Sequence, residues 1–134
     1  MKLFAGGTSD AEFRALAEIR IREARILFNA GEFDGAAYLA GYSVECALKA
    51  IIAKAVPAGV LLPPKTSSQL FTHDLALLAK QADLKVEELS SETASSWSVV
   101  ITWNEQRRYT AGANGDTALS LLDSIDHPQH GILP

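Results

Sequence analysis

The sequence predicts an all-α protein, a helical bundle folded as one domain over residues 1–134. Three observations carry this. Twenty-one alanines and 17 leucines stand against five prolines, a composition that leans strongly toward helix. The apolar residues of the first long segment fall on one helical face rather than alternating as in a strand. Aromatic residues make up only 7%, few for a β-sandwich or barrel. With 48% hydrophobic residues, a chain of this length can bury a core without disulfides or metals.

The first helix is expected from Ser9 or Asp10, either of which can cap it, to Asn29, where Gly31 stops it. Phe13, Leu16, Ala17, Ile21, Ala24, Leu27 and Phe28 share an apolar arc. Arg14, Glu18, Arg22 and Arg25 lie opposite, with Arg14–Glu18 and Glu18–Arg22 spaced for i,i+4 pairs. Arg20 breaks the pattern. It sits within the apolar arc and must pair with an acid or point into a cavity.

The second helix, Phe33 to Val56, carries only Asp34, Glu45, Lys49 and Lys54 as charges and is rich in Gly, Ala and Ser. A helix this apolar all round is buried on most sides, and its small residues admit close neighbours. It is the expected central helix. Pro57 to Pro64 and Lys65 to Ser68 then read as a loop within the domain. A short third helix starts near Thr72 as cap and runs to about Ala82. A fourth spans Val86 to Trp103 or Asn104, with Leu89, Ser96, Val100 and Trp103 on one face and Trp97 beside it. A polar connection, Glu105 to Gly115, leads to a last helix capped by Asp116, with Leu119, Leu122 and Ile125 inward. His127 to Pro134 reads as a tail.

Net charge is −4 and the isoelectric point about 5.3, which excludes a general basic field for nucleic acid but leaves room for a local basic site. The lone Cys46 allows no internal disulfide, suits a reducing compartment, and is expected to be a small buried residue. Met1 to Gly7 falls far short of a signal peptide, and the weakly charged run Gly35 to Val44 is too short to span a bilayer. The expectation is a soluble, cytoplasmic protein with no membrane partner.

Four clusters could carry chemistry. Tyr38, Tyr42, Glu45 and Lys49 line one stripe of the second helix, either its solvent face or a functional or dimer face where tyrosines combine area with a polar tip. Arg107, Arg108 and Tyr109 set two guanidiniums beside a ring. They suit a phosphate or carboxylate with a base stacked alongside, or else an arginine that caps the fourth helix or pairs with Glu45. His73 at a helix start is a candidate neutral acid–base group, the candidate catalytic residue of this chain, or a packing and capping residue beside Asp74. His127 and His130 lack the spacing of a zinc site, so no metal is expected, and no motif implies a cofactor.

The run Gly31-Glu-Phe-Asp-Gly-Ala-Ala-Tyr-Leu-Ala-Gly-Tyr-Ser-Val-Glu-Cys-Ala-Leu-Lys-Ala50 resembles the signature helix of HEPN domains (higher eukaryotes and prokaryotes nucleotide-binding). His73-Asp74-Leu75 and Arg108-Tyr109 follow in the family's order, and the resemblance extends over about Ala24 to Leu122. It implies an antiparallel up-and-down bundle of four to five helices, commonly a homodimer. Such proteins often act beside a nucleotidyltransferase partner, in toxin–antitoxin pairs, or as metal-independent endoribonucleases. The family's ribonucleases use an arginine, four to six residues and then a histidine. Here no histidine follows Arg107 or Arg108 at that distance, since positions 112 to 115 are Gly-Ala-Asn-Gly. The resemblance therefore implies a non-catalytic dimeric module that binds a nucleotide, RNA or a nucleotidyltransferase. Its alternatives are a ribonuclease with a rearranged site built on His73, and a purely structural dimerisation domain.

Overall fold

The structure, a computed structural model, describes residues 10–54, 72–103, 112 and 114–127. The anticipated Ser9 cap, the end of the second helix at Val56, the loop from Pro57 to Ser68, the triplet Arg107-Arg108-Tyr109, His130 and the terminal tail lie outside these residues. Within them the protein is all-α: α1 (Asp10–Asn29), α2 (Phe33–Lys54), α3 (Leu75–Gln81), a 3-10 turn (Val86–Glu88), α4 (Ser91–Val100) and α5 (Gly115–Asp126).

The α1–α2 hairpin is the spine. α1 ends in a paired hydrogen-bond cap: Gly31 N–H donates to Phe28 O at 3.0 Å and Glu32 N–H to Leu27 O at 2.9 Å. That geometry needs a left-handed residue, and Gly31 supplies it with φ +82°. The reversal lays α2 along α1, and α2 also touches α3 and α5, while α4 packs on α5. α2 is thus central, as its composition requires. It is long and apolar enough to cross a membrane, although its weakly charged core run alone is not. Two thirds of its apolar window is buried within the bundle.

The core joins Val44, Leu48 and Ile52 of α2 to Leu75 and Leu78 of α3, Trp97 and Val100 of α4, and Leu122 and Ile125 of α5. Arg25, assigned by periodicity to the polar face of α1, holds α5 instead. Its Nε donates to Asp126 Oδ2 at 3.0 Å, and its Nη2 meets Asp123 Oδ1 at 3.0 Å and Asp126 Oδ1. The Asp126 hydrogen bond, against some desolvation, holds the guanidinium above its ordinary pKa. Arg14 turns back to Asp10 at 3.5 Å rather than forward to Glu18.

Three helix starts differ from the expectation, each because a better-placed side chain takes the cap. Asp74 caps α3, accepting from Leu77 N–H at 3.2 Å, while Thr72 only supports Asp74 N–H. Asn114 rather than Asp116 caps α5, accepting from Thr117 N–H at 2.8 Å. The anticipated helix from Val86 is broken, because Ser90 accepts from Thr93 N–H at 3.1 Å and restarts it. Leu119, expected inward, is exposed. The core stripe of α5 runs through Ala118, Leu121, Leu122 and Ile125, which leaves position 119 on its shoulder.

Candidate functional site

Tyr38, Tyr42 and Glu45 face a cleft of about 510 Å³ together with Arg20, Leu39, His73 and Trp103. The polar stripe of α2 therefore does not behave as a solvent face. Glu45 is 1% exposed and Lys49 5%. A buried carboxylate must be matched, and Glu45 is matched at both oxygens: Lys49 Nζ donates to Oε2 at 3.1 Å and His73 Nδ1 meets Oε1 at 3.0 Å. The i,i+4 spacing on α2 supplies the lysine. The chain leading into α3 supplies the histidine.

His73 sits one residue before the Asp74 cap, outside the helix proper. What orients the ring is Glu45, and with its side chain 42% exposed it lines the cleft beside that carboxylate.

The walls are aromatic. Tyr38 lies between Tyr42 and Trp103, with ring centroids 6.2 Å and 6.1 Å apart and planes tilted by 38° and 32°. Trp103 is 3% exposed, and its ring lies flat on Gly41, where a Cβ would come within 2.1–2.3 Å of three indole atoms. Only glycine permits that approach. The indole Nε1 is buried and has no hydrogen-bond partner among the described residues.

Arg20 resolves its conflict with the apolar arc in both of the expected ways. It pairs with Glu23, Nη1 to Oε1 at 2.5 Å, and it lines the cleft. That hydrogen bond raises its pKa further. The Tyr42 hydroxyl is pushed up, chiefly by burial and then by the neighbouring Cys46, as its thiol ionises, and by the Glu45 carboxylate. Burial first, and Glu45 second, push the Cys46 thiol up to about 11, so it is neutral and unreactive at pH 7.

Sequence reasoning missed Trp103 and Leu39 as lining residues. Arg20 announced itself by breaking periodicity, but the role of Trp103 depends on Gly41 and carried no signal in the pattern. Arg107, Arg108 and Tyr109 lie outside the described residues. The described residues on either side of them are both tied to α2: Trp103 packs on Gly41, and Gly112 N–H donates to Asp34 Oδ2 at 3.2 Å. Among the described residues no group of three or more His, Cys, Asp or Glu side chains is placed to hold a metal.

An all-α bundle around an apolar second helix, with a cleft of tyrosines and an internally neutralised carboxylate, is the setting in which the family comparison falls. The HEPN domain model matches residues 12–123, nearly the whole chain, and the protein belongs to the HEPN domain family. No curated protein and no solved structure matches it.

Proposed function

We propose that this chain is a non-catalytic HEPN module, a cytoplasmic homodimer that binds a nucleotide or RNA, or docks a nucleotidyltransferase partner in a toxin–antitoxin-like setting. The observation that carries the reading is the cleft itself. Aromatic rings and matched charges meet in a hollow of small-molecule size, formed by Arg20, Tyr38, Tyr42, Glu45, His73 and Trp103, with Lys49 supporting Glu45 from beneath. Its charges serve one another, and the arginine–histidine spacing of the family's ribonucleases is absent from the sequence. The Arg107-Arg108-Tyr109 triplet enters this proposal on its sequence chemistry alone.

A thermal-shift titration with nucleotides tests the binding role, since a ligand of the folded state raises the melting temperature by mass action. The alternative, a metal-independent ribonuclease built on His73, draws support from Glu45, which orients the ring. Incubating the protein with total RNA in chelator separates the two. Intact RNA supports the binding module; cleavage that disappears in His73→Ala establishes the enzyme. Light scattering tests the dimer, and a 14.4 kDa particle at high micromolar concentration would remove it.

A further inference from the structure

We infer that the cleft between α1, α2 and the end of α4 recognises the base of its ligand and not the phosphate: its occupant is an uncharged, planar heteroaromatic ring with a hydrogen-bond acceptor on its edge. This deepens the nucleotide-binding reading above and rests on it.

Charge is the first argument. A phosphate site needs positive charge or N–H donors held open for the anion. Here Arg20 is engaged by Glu23 at 2.5 Å, and Lys49 is engaged by Glu45 at 3.1 Å. The Glu45 carboxylate in the lining is paired with that lysine, so a di- or triphosphate entering the cleft would meet a matched ion pair and no net positive charge. The bundle therefore offers this volume no uncompensated cation from Arg20 or Lys49.

The walls are the second argument. Three rings, Tyr38, Tyr42 and Trp103, bound the same space and are tilted against each other rather than stacked face to face. Such a surface suits a flat guest, because a base stacks on an aromatic side chain whatever its sequence identity. The third argument is the Trp103 N–H, buried with no acceptor among the described residues. A buried donor without a partner is unfavourable. Trp103 lines the cleft, so a ring nitrogen or carbonyl at the edge of the guest is the acceptor the inference assigns to this donor.

The test is isothermal titration of the full chain with the four ribonucleosides, their 5′-mono- and triphosphates, and inorganic phosphate, each at 50 and 300 mM salt. The expected result is that at least one nucleoside binds, that its phosphates bind within about threefold of it, and that salt changes the affinity less than about twofold. Inorganic phosphate should not compete. Tyr38→Leu keeps apolar bulk but loses the ring and should weaken nucleoside binding at least fivefold, in line with the stacking contribution per base. Trp103→Phe keeps an aromatic wall without the N–H and should weaken it about three- to tenfold; circular dichroism and melting confirm that both variants are folded.

A triphosphate that binds more than tenfold tighter than its nucleoside, with a steep salt dependence, overturns the inference and leaves nucleotide binding standing. Nucleoside binding unchanged in both variants overturns the assignment to this cleft. Binding of none of the probes overturns the inference and the nucleotide form of the proposed function together, leaving the RNA-binding and partner-docking forms.

Discussion

Replacing Gly41 by alanine sets two physical effects against each other in one methyl group. Position 41 lies in the interior of α2, where helix propensity favours alanine over glycine by about 1 kcal/mol. Packing opposes it. The new Cβ would lie 2.1 Å from Trp103 Cδ2 and 2.2 Å from Cε2, distances that real Cβ atoms essentially never show. The indole would have to retreat by more than an ångström, and at 3% exposure it has little room to do so. Overpacking of a well-filled core costs typically about 1–3 kcal/mol, and partial loss of a buried tryptophan's contacts adds to it. The net expectation is a destabilisation of about 1–3 kcal/mol. For a domain of this length that is a melting temperature roughly 4–10 °C lower. Calorimetry or urea denaturation followed by tryptophan emission measures it. Gly35→Ala is the control: its Cβ would meet only the Leu27 Cδ1 tip at 3.2 Å, so a stability within about 1 kcal/mol of the parent is expected. A Gly41→Ala protein that melts at or above the parent would refute the placement of Trp103 on α2, and with it the aromatic wall of the cleft.

Glu45→Gln should lower stability by about 3–5 kcal/mol, because it leaves Lys49 buried without its counter-ion; an unchanged urea midpoint would show that the pair is exposed. Arg25→Met should cost about 1 kcal/mol at low salt and less at high salt, since the bridge to Asp123 and Asp126 is part-exposed; a loss that does not change with salt would indicate packing instead. Asp83 holds φ +59° at the end of α3, so Asp83→Gly should stabilise by about 0.5–1 kcal/mol, measured by the same melts. Stability should fall from pH 9 toward pH 11. The unfolded thiol of Cys46 ionises near its ordinary 9.0, whereas the folded one holds its proton to about 11, so the folded state binds more protons across that window and loses stability as pH rises. Cys46→Ala should remove on the order of 2 kcal/mol of that loss, and an unchanged pH dependence would mean the thiol is open to solvent.

Fold class, the central place of α2, the stop at Gly31 and the family were all legible in the order of the amino acids. Each follows from local chemistry repeated along the chain: helical spacing of apolar residues, small residues on a nearly uncharged helix, a glycine where φ must be positive. Arg20 and Glu45 were also visible as charges in the wrong environment, because a charge on an apolar surface demands a partner wherever the chain places one. Which partner was a matter for the tertiary structure. Arg20 turned to Glu23 on its own helix, whereas Glu45 drew in His73 from 28 residues away. Arg25 was read as polar surface and became the tie to α5, a contact across 98 and 101 residues that no periodicity encodes. Helix caps moved by two residues at Asp74 and Asn114, since several adjacent residues could each serve and only the backbone path selects among them. The cleft was decided last. Its tyrosines stand at regular spacing on α2, but they bound a hollow only because the turn after α4 lays Trp103 across Gly41, and that meeting of two distant residues is set by the packing of whole helices.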